Sequence, residues 1–272
     1  MTISGHLLLV GCGKMGGAML RGWLQRGVGP RDVTVIEPNM ASVADLATAG
    51  IRLLADAAEL PPDLKPAVVV LAVKPQMMDG ALPACRRFAG ANTVFLSIAA
   101  GRTIAYFERH LGAQAAIVRS MPNTPAAVGR GITVACANCQ VSAAQRDLCH
   151  ELLAAVGEVA WVENEGLLDA VTAVSGGGPA YVFLLIECLA EAGAAAGLPA
   201  DLAMRLARVT VSGAGELARL SSEPAAVLRQ NVTSPGGTTL EALKILMAAD
   251  GLQPLMTKAI AAAARRAREL AG

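Results

Sequence analysis

The sequence predicts an α/β fold in which a doubly wound parallel sheet precedes an all-helical domain. Through residue 163, short apolar runs of β type alternate with helical patterns, and this alternation is typical of a parallel sheet. From residue 164 to 272 the β-type runs disappear, and Ala- and Leu-rich helical stretches replace them. We therefore expect one domain over residues 1–163 and a second over residues 164–272.

The elements follow from the apolar pattern taken in order along the chain. Strands are predicted at residues 7–10, 33–37, 68–73, 93–98, 116–120, 132–136 and 159–162. Helices are predicted between them at residues 15–25, 41–49, 78–88 and 143–156. The most apolar later stretch, residues 180–198, contains Glu187 and Glu191, so we expect a buried helix there rather than a membrane span.

Composition narrows the functional class. Hydrophobic residues make up 54% of the chain and charged residues 17%, which is ample for a large core and suggests further burial between subunits. The net charge is only +1, so the composition gives no sign of the strongly basic surface that would bind nucleic acid or an anionic membrane. The N-terminus has no basic segment before its short apolar run, so we expect a cytoplasmic protein without a signal peptide.

Cysteine spacing raises the question of a metal site. Cys136 and Cys139 stand close together, and Cys149 and His150 follow in a separate helical pattern. A zinc site needs four ligands in tetrahedral geometry, which a strand end and a distant helix do not offer from this spacing. We expect ordinary reduced thiols and no metal.

A glycine motif opens the chain. Gly11, Gly13 and Gly16 form G-x-G-x-x-G between a predicted strand and a predicted helix. The first glycine permits a tight turn, the second lets a pyrophosphate approach the backbone, and the third packs helix against strand. This context predicts a Rossmann-like dinucleotide site.

The end of the second predicted strand bears on the choice of nucleotide. Glu37 stands where an acid hydrogen-bonds a ribose 2′-hydroxyl, and a carboxylate there repels a 2′-phosphate. The residues that follow supply no lysine or arginine, although Asn39 and Ser42 could still serve a phosphate. Residue chemistry alone therefore favours NADH over NADPH.

Two further loops are candidates for binding an anion. Lys74 follows a buried-type strand, at the edge of the sheet where ligands bind, and it either attracts an anion or is an ordinary surface cation. The stretch Ser234–Thr239, S-P-G-G-T-T, lies directly before an apolar helix. Glycine amides and threonine hydroxyls at a helix N-terminus suit a carboxylate, but they are equally typical of a helix cap.

Taken together, these motifs resemble the pyrroline-5-carboxylate reductase family. The resemblance rests on six blocks in family order: GCGKMG at 11–16, AVKP at 72–75, AAG at 99–101, MPNTP at 121–125, SGGGPAY at 175–181 and VTSPGGTT at 232–239. It implies a Rossmann-like domain, a helical dimerisation domain interleaved with a partner subunit, and further assembly commonly to decamers. It also implies reduction of pyrroline-5-carboxylate to L-proline by hydride transfer from NADPH or NADH.

The resemblance assigns roles to individual residues. Cofactor contacts are implied at Val10, Gly11, Cys12, Gly13, Lys14, Met15, Gly16, Glu37, Asp56, Ala72, Val73, Lys74, Pro75, Ala100 and Asn231. The implied substrate contacts are Gly236, Gly237, Thr238 and Thr239, with Ser175 as a further contributor. Because no histidine stands at a suitable place, we expect Thr239 to hydrogen-bond the ring nitrogen while solvent or substrate supplies the proton.

The chain departs from the family pattern at two positions. Gly177 stands where relatives often carry serine or cysteine, so one side-chain donor is lost while the turn is kept. Glu37 leaves the choice between NADH and NADPH in doubt.

Two other functions fit parts of the pattern. A 3-hydroxyacid dehydrogenase would need a general acid or base, usually a lysine from the helical domain, and residues 169–188 contain neither lysine nor histidine. A non-catalytic scaffold that senses nicotinamide nucleotides would not need the second polar loop.

Overall fold

The computed structural model describes residues 5–271 and divides into two compact units. One unit, here called the sheet unit, runs to Gly176 and also takes in the chain from Ala264 onward. The other, here called the helical unit, is Gly177–Ala263.

Eight strands form a single sheet in the sheet unit. They are β1 (His6–Val10), β2 (Val33–Ile36), β3 (Arg52–Leu54), β4 (Pro66–Leu71), β5 (Val94–Ser97), β6 (Ala116–Met121), β7 (Gly131–Ala137) and β8 (Gly157–Trp161). Their order across the sheet is β3-β2-β1-β4-β5-β6-β7-β8, and β1 to β6 run parallel. The strand order reverses between β1 and β4, which is where doubly wound sheets bind their ligands. The predicted α/β class is confirmed.

Two features of the sheet differ from the sequence-based prediction. The edge strand β3 was not predicted, because three residues are too few to show an alternating pattern. Strand β7 pairs antiparallel with β6, and β8 then runs parallel to β7. The chain between β6 and β7 contains only a 3-10 turn, Thr124–Val128, whereas a parallel crossover usually needs a dozen or more residues.

Helices cover both faces of the sheet. The sheet unit contains α1 (Lys14–Gln25), α2 (Ala44–Thr48), α3 (Met78–Cys85), α4 (Ile104–Leu111), α5 (Ala143–Ala154) and α6 (Leu167–Val171). Alternate residues of β1 enter opposite cores: Leu7 and Leu9 pack with α1 and α5, while Leu8 and Val10 pack with α3 and α4. The indole N–H of Trp23 donates to the Leu152 carbonyl at 2.9 Å and thereby ties α1 to α5.

A π-helical turn, Thr172–Gly176, follows α6 and precedes α7 (Gly178–Ala195). The remaining helices are α8 (Ala200–Leu220), α9 (Ala225–Asn231), α10 (Thr238–Leu246) and α11 (Leu252–Ala271). Within the helical unit, α7 packs closely on α8, and a Cβ added at Gly193 would lie 3.3 Å from that of Ala203.

The expectation of a buried helix at residues 180–198 is wrong for the single chain. Ala190 is the one buried residue of α7, while Phe183 is 59% exposed and Leu184 is 57% exposed. Apolar composition predicts that such a helix must be covered, but it does not say whether the same chain covers it. By length and composition alone, the stretch Leu167–Ala195 could also cross a membrane.

Candidate functional site

The glycine motif forms a tight turn between β1 and α1. Gly11 has φ +91°, and a Cβ there would lie 2.9 Å from the backbone of Ala72. A Cβ at Gly16 would approach the Gly11 carbonyl oxygen to 2.5 Å. Side chains are therefore excluded at both positions by the protein itself.

Gly13 is different, because it faces open space. It is the N-cap of α1, and a Cβ built on it would meet no atom of the described chain within 4 Å. The first turn of α1 carries no acidic residue, and its N-cap supplies no side-chain hydrogen bond. The amides at this helix end are thus available to an anion at the positive end of the helix dipole.

A cavity of about 550 Å³ lies beside this turn, at the carboxyl ends of β1, β2 and β4. Eight of the residues expected to contact the cofactor line it: Gly11, Cys12, Gly13, Lys14, Glu37, Ala72, Val73 and Lys74. Arg21 and Asn39 also line it. The turn, the open helix end and the size of the cavity fit a dinucleotide.

Glu37 links β2 to the glycine turn. One carboxylate oxygen accepts the backbone N–H of Cys12 at 2.8 Å, and the other accepts that of Asn39 at 3.0 Å. Backbone donors therefore fix the orientation of this carboxylate in the cavity wall.

Cys12 contributes backbone rather than thiol chemistry. Its side chain is buried, and burial, reinforced by the negative charge of Glu37, raises the pKa of the thiol to about 11. The thiol is consequently protonated near neutral pH and is a poor nucleophile or metal ligand.

The turn after β4 is held by a residue that sequence reasoning missed. The Arg102 guanidinium donates to the Pro75 carbonyl from Nε at 3.1 Å and from Nη2 at 2.8 Å. It also lies 4.5 Å from the centre of the Tyr106 ring. The Tyr106 hydroxyl donates to Asp79, and burial together with this bond raises the pKa of Tyr106 to about 12. Arg102 is thus a positioning residue for the Lys74–Pro75 turn.

The other expected cofactor residues of the sheet unit lie outside the cavity lining. Val10 and Gly16 are buried, and Met15 packs on the core formed with α1 and α5. Asp56 is exposed and caps the 3-10 helix Ala57–Glu59, where it accepts the Ala58 N–H at 2.7 Å. Ala100 is exposed after β5.

The polar loop opens α10 in the helical unit. Gly236 is left-handed at φ +67°, and the N–H of Gly237 donates to the Ser234 carbonyl at 3.0 Å. Gly237 is the N-cap of α10 and offers no side-chain cap, so Thr238 and Thr239 are the first two helical residues. Both threonines are exposed. Asn231, expected to contact the cofactor, ends α9 and is also exposed.

Ser175 lies in the π-helical turn of the sheet unit. Its hydroxyl donates to the Val171 carbonyl at 3.1 Å, and Thr172 makes the equivalent bond to Leu168 at 2.7 Å. π-turns often occur at functional sites. A Cβ at Gly176 would come within 2.6 Å of the Met121 side chain, so this turn packs tightly on the end of β6.

None of the three histidines lines the cavity. His6 bonds the Thr34 hydroxyl, His110 bonds the Tyr106 carbonyl, and His150 accepts from Trp161. Within residues 5–271, no group of three or more His, Cys, Asp or Glu side chains is placed to hold a metal ion.

Comparison with known proteins identifies relatives over the whole chain. A family profile described as pyrroline-5-carboxylate reductase dimerisation matches residues 165–270. A second, described as NADP oxidoreductase coenzyme F420-dependent, matches residues 7–101. The chain is 40% identical over 267 residues to the pyrroline-5-carboxylate reductase of Pseudomonas aeruginosa, covering 98% of this chain and 97% of that protein.

Solved structures of pyrroline-5-carboxylate reductases are also similar to this chain. The pyrroline-5-carboxylate reductase of Coxiella burnetii has a TM-score of 0.92 and 34% identity, covering 99% of this chain and 100% of that one. The pyrroline carboxylate reductase of Plasmodium falciparum, solved with NADP bound, has a TM-score of 0.83 and 27% identity, with 99% of each chain covered.

Proposed function

We propose, on the premise that this chain belongs to the pyrroline-5-carboxylate reductase family, that it reduces 1-pyrroline-5-carboxylate to L-proline with NADPH or NADH, the last step of proline biosynthesis. The observation that carries the proposal is the likeness to reductases of this name along 98% of the chain. The glycine turn and the cavity beside it support the proposed function, because together they form a site that fits a dinucleotide.

In the proposed function, residues 1–163 bind the nucleotide. The turn from Val10 to Gly16 receives the pyrophosphate on free amides of α1, and Lys14 adds a positive charge there. Glu37 and Asp56 serve the adenosine ribose. Ala72 to Pro75 and Ala100 complete the proposed contacts of residues 1–163, and Asn231 is the one proposed contact from residues 164–272. When bound, the reduced nicotinamide supplies the hydride.

Residues 164–272 form the proposed dimerisation and substrate-binding domain. The substrate is a small cyclic imine with a carboxylate, and the open N-terminal end of α10 suits that carboxylate, because Gly236 and Gly237 have no Cβ to block its approach. Thr238 adds a hydroxyl, and Thr239 orients the ring nitrogen by a hydrogen bond. Ser175 is a further contributor. Because no histidine stands at a suitable place in the sequence, we take the proton on the imine to come with the substrate or from solvent.

The test of the proposed function is oxidation of the reduced cofactor, followed by its absorbance after addition of pyrroline-5-carboxylate. We expect oxidation with proline as the product. A nucleotide-sensing scaffold would bind the cofactor without oxidising it. A 3-hydroxyacid dehydrogenase would instead reduce oxidised nicotinamide when given a 3-hydroxyacid, and either result would refute the proposal.

We further propose a cytoplasmic homodimer that assembles to decamers. Several large apolar side chains of α7 are exposed in the single chain, including Phe183 and Leu184, and a second copy would bury them. Burial against a partner subunit would also explain why the stretch Leu167–Ala195 is so apolar, without requiring that it cross a membrane. No bound nucleic acid is proposed, because the net charge is only +1.

Replacing Phe183 with aspartate should shift the protein toward monomers, because it places a charge in the proposed apolar interface. Light scattering after size-exclusion chromatography measures the change in mass. Val128→Asp is the control, since Val128 is 74% exposed on a turn of the sheet unit and should leave the mass unchanged. A monomeric wild type, or an unchanged mass for F183D, would contradict the proposed interface.

A further inference from the structure

One face of α1 brings a cation back toward the glycine turn. Gly13, Gly17 and Arg21 are spaced four residues apart, so they lie on the same face of the helix. Long helical side chains lean toward the N-terminus, and Gly17 has no side chain to stop Arg21 from doing so. A Cβ at Gly17 would lie 3.3 Å from Nη2 and 3.6 Å from Nη1 of Arg21. The guanidinium thus rests over Gly17, in the cavity wall.

The guanidinium has no partner there. Arg21 is exposed, and within residues 5–271 its side chain forms no hydrogen bond or ion pair. Glu37 lies in the wall of the same cavity, but its two oxygens are held by the amides of Cys12 and Asn39. The two charges influence the Cys12 thiol in opposite senses, since Glu37 raises its pKa and Arg21 lowers it. A cation with five N–H donors is therefore available to a ligand beside a carboxylate that is already oriented.

Arg21 lies further along α1 than the N-terminal amides that would bind the pyrophosphate. Arg21 stands eight positions after the N-cap Gly13, about 12 Å along the helix axis. The guanidinium rests over Gly17, which is one turn along α1 from the N-cap Gly13. The same cavity is lined by Asn39, Ser42 and Leu46, which follow β2. This is the side of a dinucleotide site where the adenosine ribose is bound.

We propose, on the basis of the proposed function above, that Arg21 is a specificity-determining residue that binds the 2′-phosphate of NADPH. Sequence reasoning favoured NADH, because Glu37 would repel that phosphate and no cation follows it in the chain. The fold supplies the missing cation from α1 instead. A guanidinium fork matches phosphate geometry and offsets the charge of Glu37.

The test is direct titration of the protein with NADPH and with NADH, followed by nucleotide fluorescence. Arg21→Met removes the charge and retains most of the length of the side chain. We expect it to weaken NADPH binding roughly 10- to 100-fold, since charge-assisted hydrogen bonds are lost, and to leave NADH binding within about threefold. Arg21→Lys should weaken NADPH binding less than Arg21→Met does, because lysine keeps the positive charge but lacks the paired N–H donors of the guanidinium. NADPH binding should also become less sensitive to salt in R21M.

Arg31→Met is the matched control. Arg31 is exposed on a 3-10 turn before β2, at the opposite end of that strand from the cavity, and its removal changes the net charge equally. It should leave both affinities unchanged. If the wild type bound both nucleotides and R21M changed neither affinity, or changed both equally, the inference would be overturned while the proposed function stood. If the wild type bound neither nucleotide, both would fail.

Discussion

Replacing Gly13 with alanine should weaken binding of NADPH and NADH alike while leaving the fold intact. The backbone at Gly13 has φ −69° and ψ −160°, which alanine adopts without strain, and a Cβ meets no atom of the described chain within 4 Å. That open space is where phosphate oxygens must approach the amides of α1, so a methyl group there obstructs the ligand and not the protein. We expect affinity to fall roughly 10- to 100-fold, the equivalent of about 1–3 kcal/mol of steric cost.

Two further glycine substitutions serve as controls for this experiment. Gly80→Ala lies within α3, where a Cβ also meets no atom within 4 Å, and it should stabilise the fold by about 0.4–1 kcal/mol without affecting binding. Gly11→Ala should cost both stability and binding, since its φ is +91° and its Cβ would press on Ala72. Thermal unfolding and fluorescence titration measure the two effects. A stable G13A protein with unchanged affinity would show that the phosphates are bound elsewhere.

The glycine turn could be predicted because its constraints are local. The positive φ of Gly11 and the approach of Gly16 to its carbonyl are fixed within six residues of one another, and a sequence pattern captures that distance. The alternation of strands and helices is equally local, which explains why the α/β class is confirmed. The family resemblance is confirmed as well, because its six blocks extend along the chain that the relatives also cover.

The features that were missed depend on tertiary structure. Arg21 was overlooked because sequence reasoning sought a cation after Glu37, whereas the cation comes from the preceding helix. Arg102 and Pro75 are joined by two hydrogen bonds although they stand 27 residues apart. The exposure of α7 was missed for a related reason, since composition records that a surface is apolar and says nothing of which chain covers it.

Replacing Thr239 with alanine should lower kcat while NADPH affinity stays unchanged. Thr239 is exposed in the first turn of α10, where alanine is a better helix former, so the fold should not suffer. In the proposed function its hydroxyl holds the ring nitrogen of the imine in position for the hydride. Loss of one such hydrogen bond, if the nitrogen is charged, predicts a decrease of roughly 10- to 100-fold. Initial rates at varied substrate, with a separate NADPH titration, distinguish the two effects.

Conservative variants identify the hydroxyl as the cause. Thr239→Ser retains the group and should recover most of the rate, whereas a purely structural role for the methyl would leave serine as poor as alanine. Thr257→Ala is the control: its hydroxyl bonds the Gln253 carbonyl within α11, and its loss should not alter turnover. A normal kcat for T239A would remove Thr239 from the mechanism. The Thr238 hydroxyl and the backbone amides at the start of α10 would then have to account for the substrate's orientation, because they are donors at the same helix end.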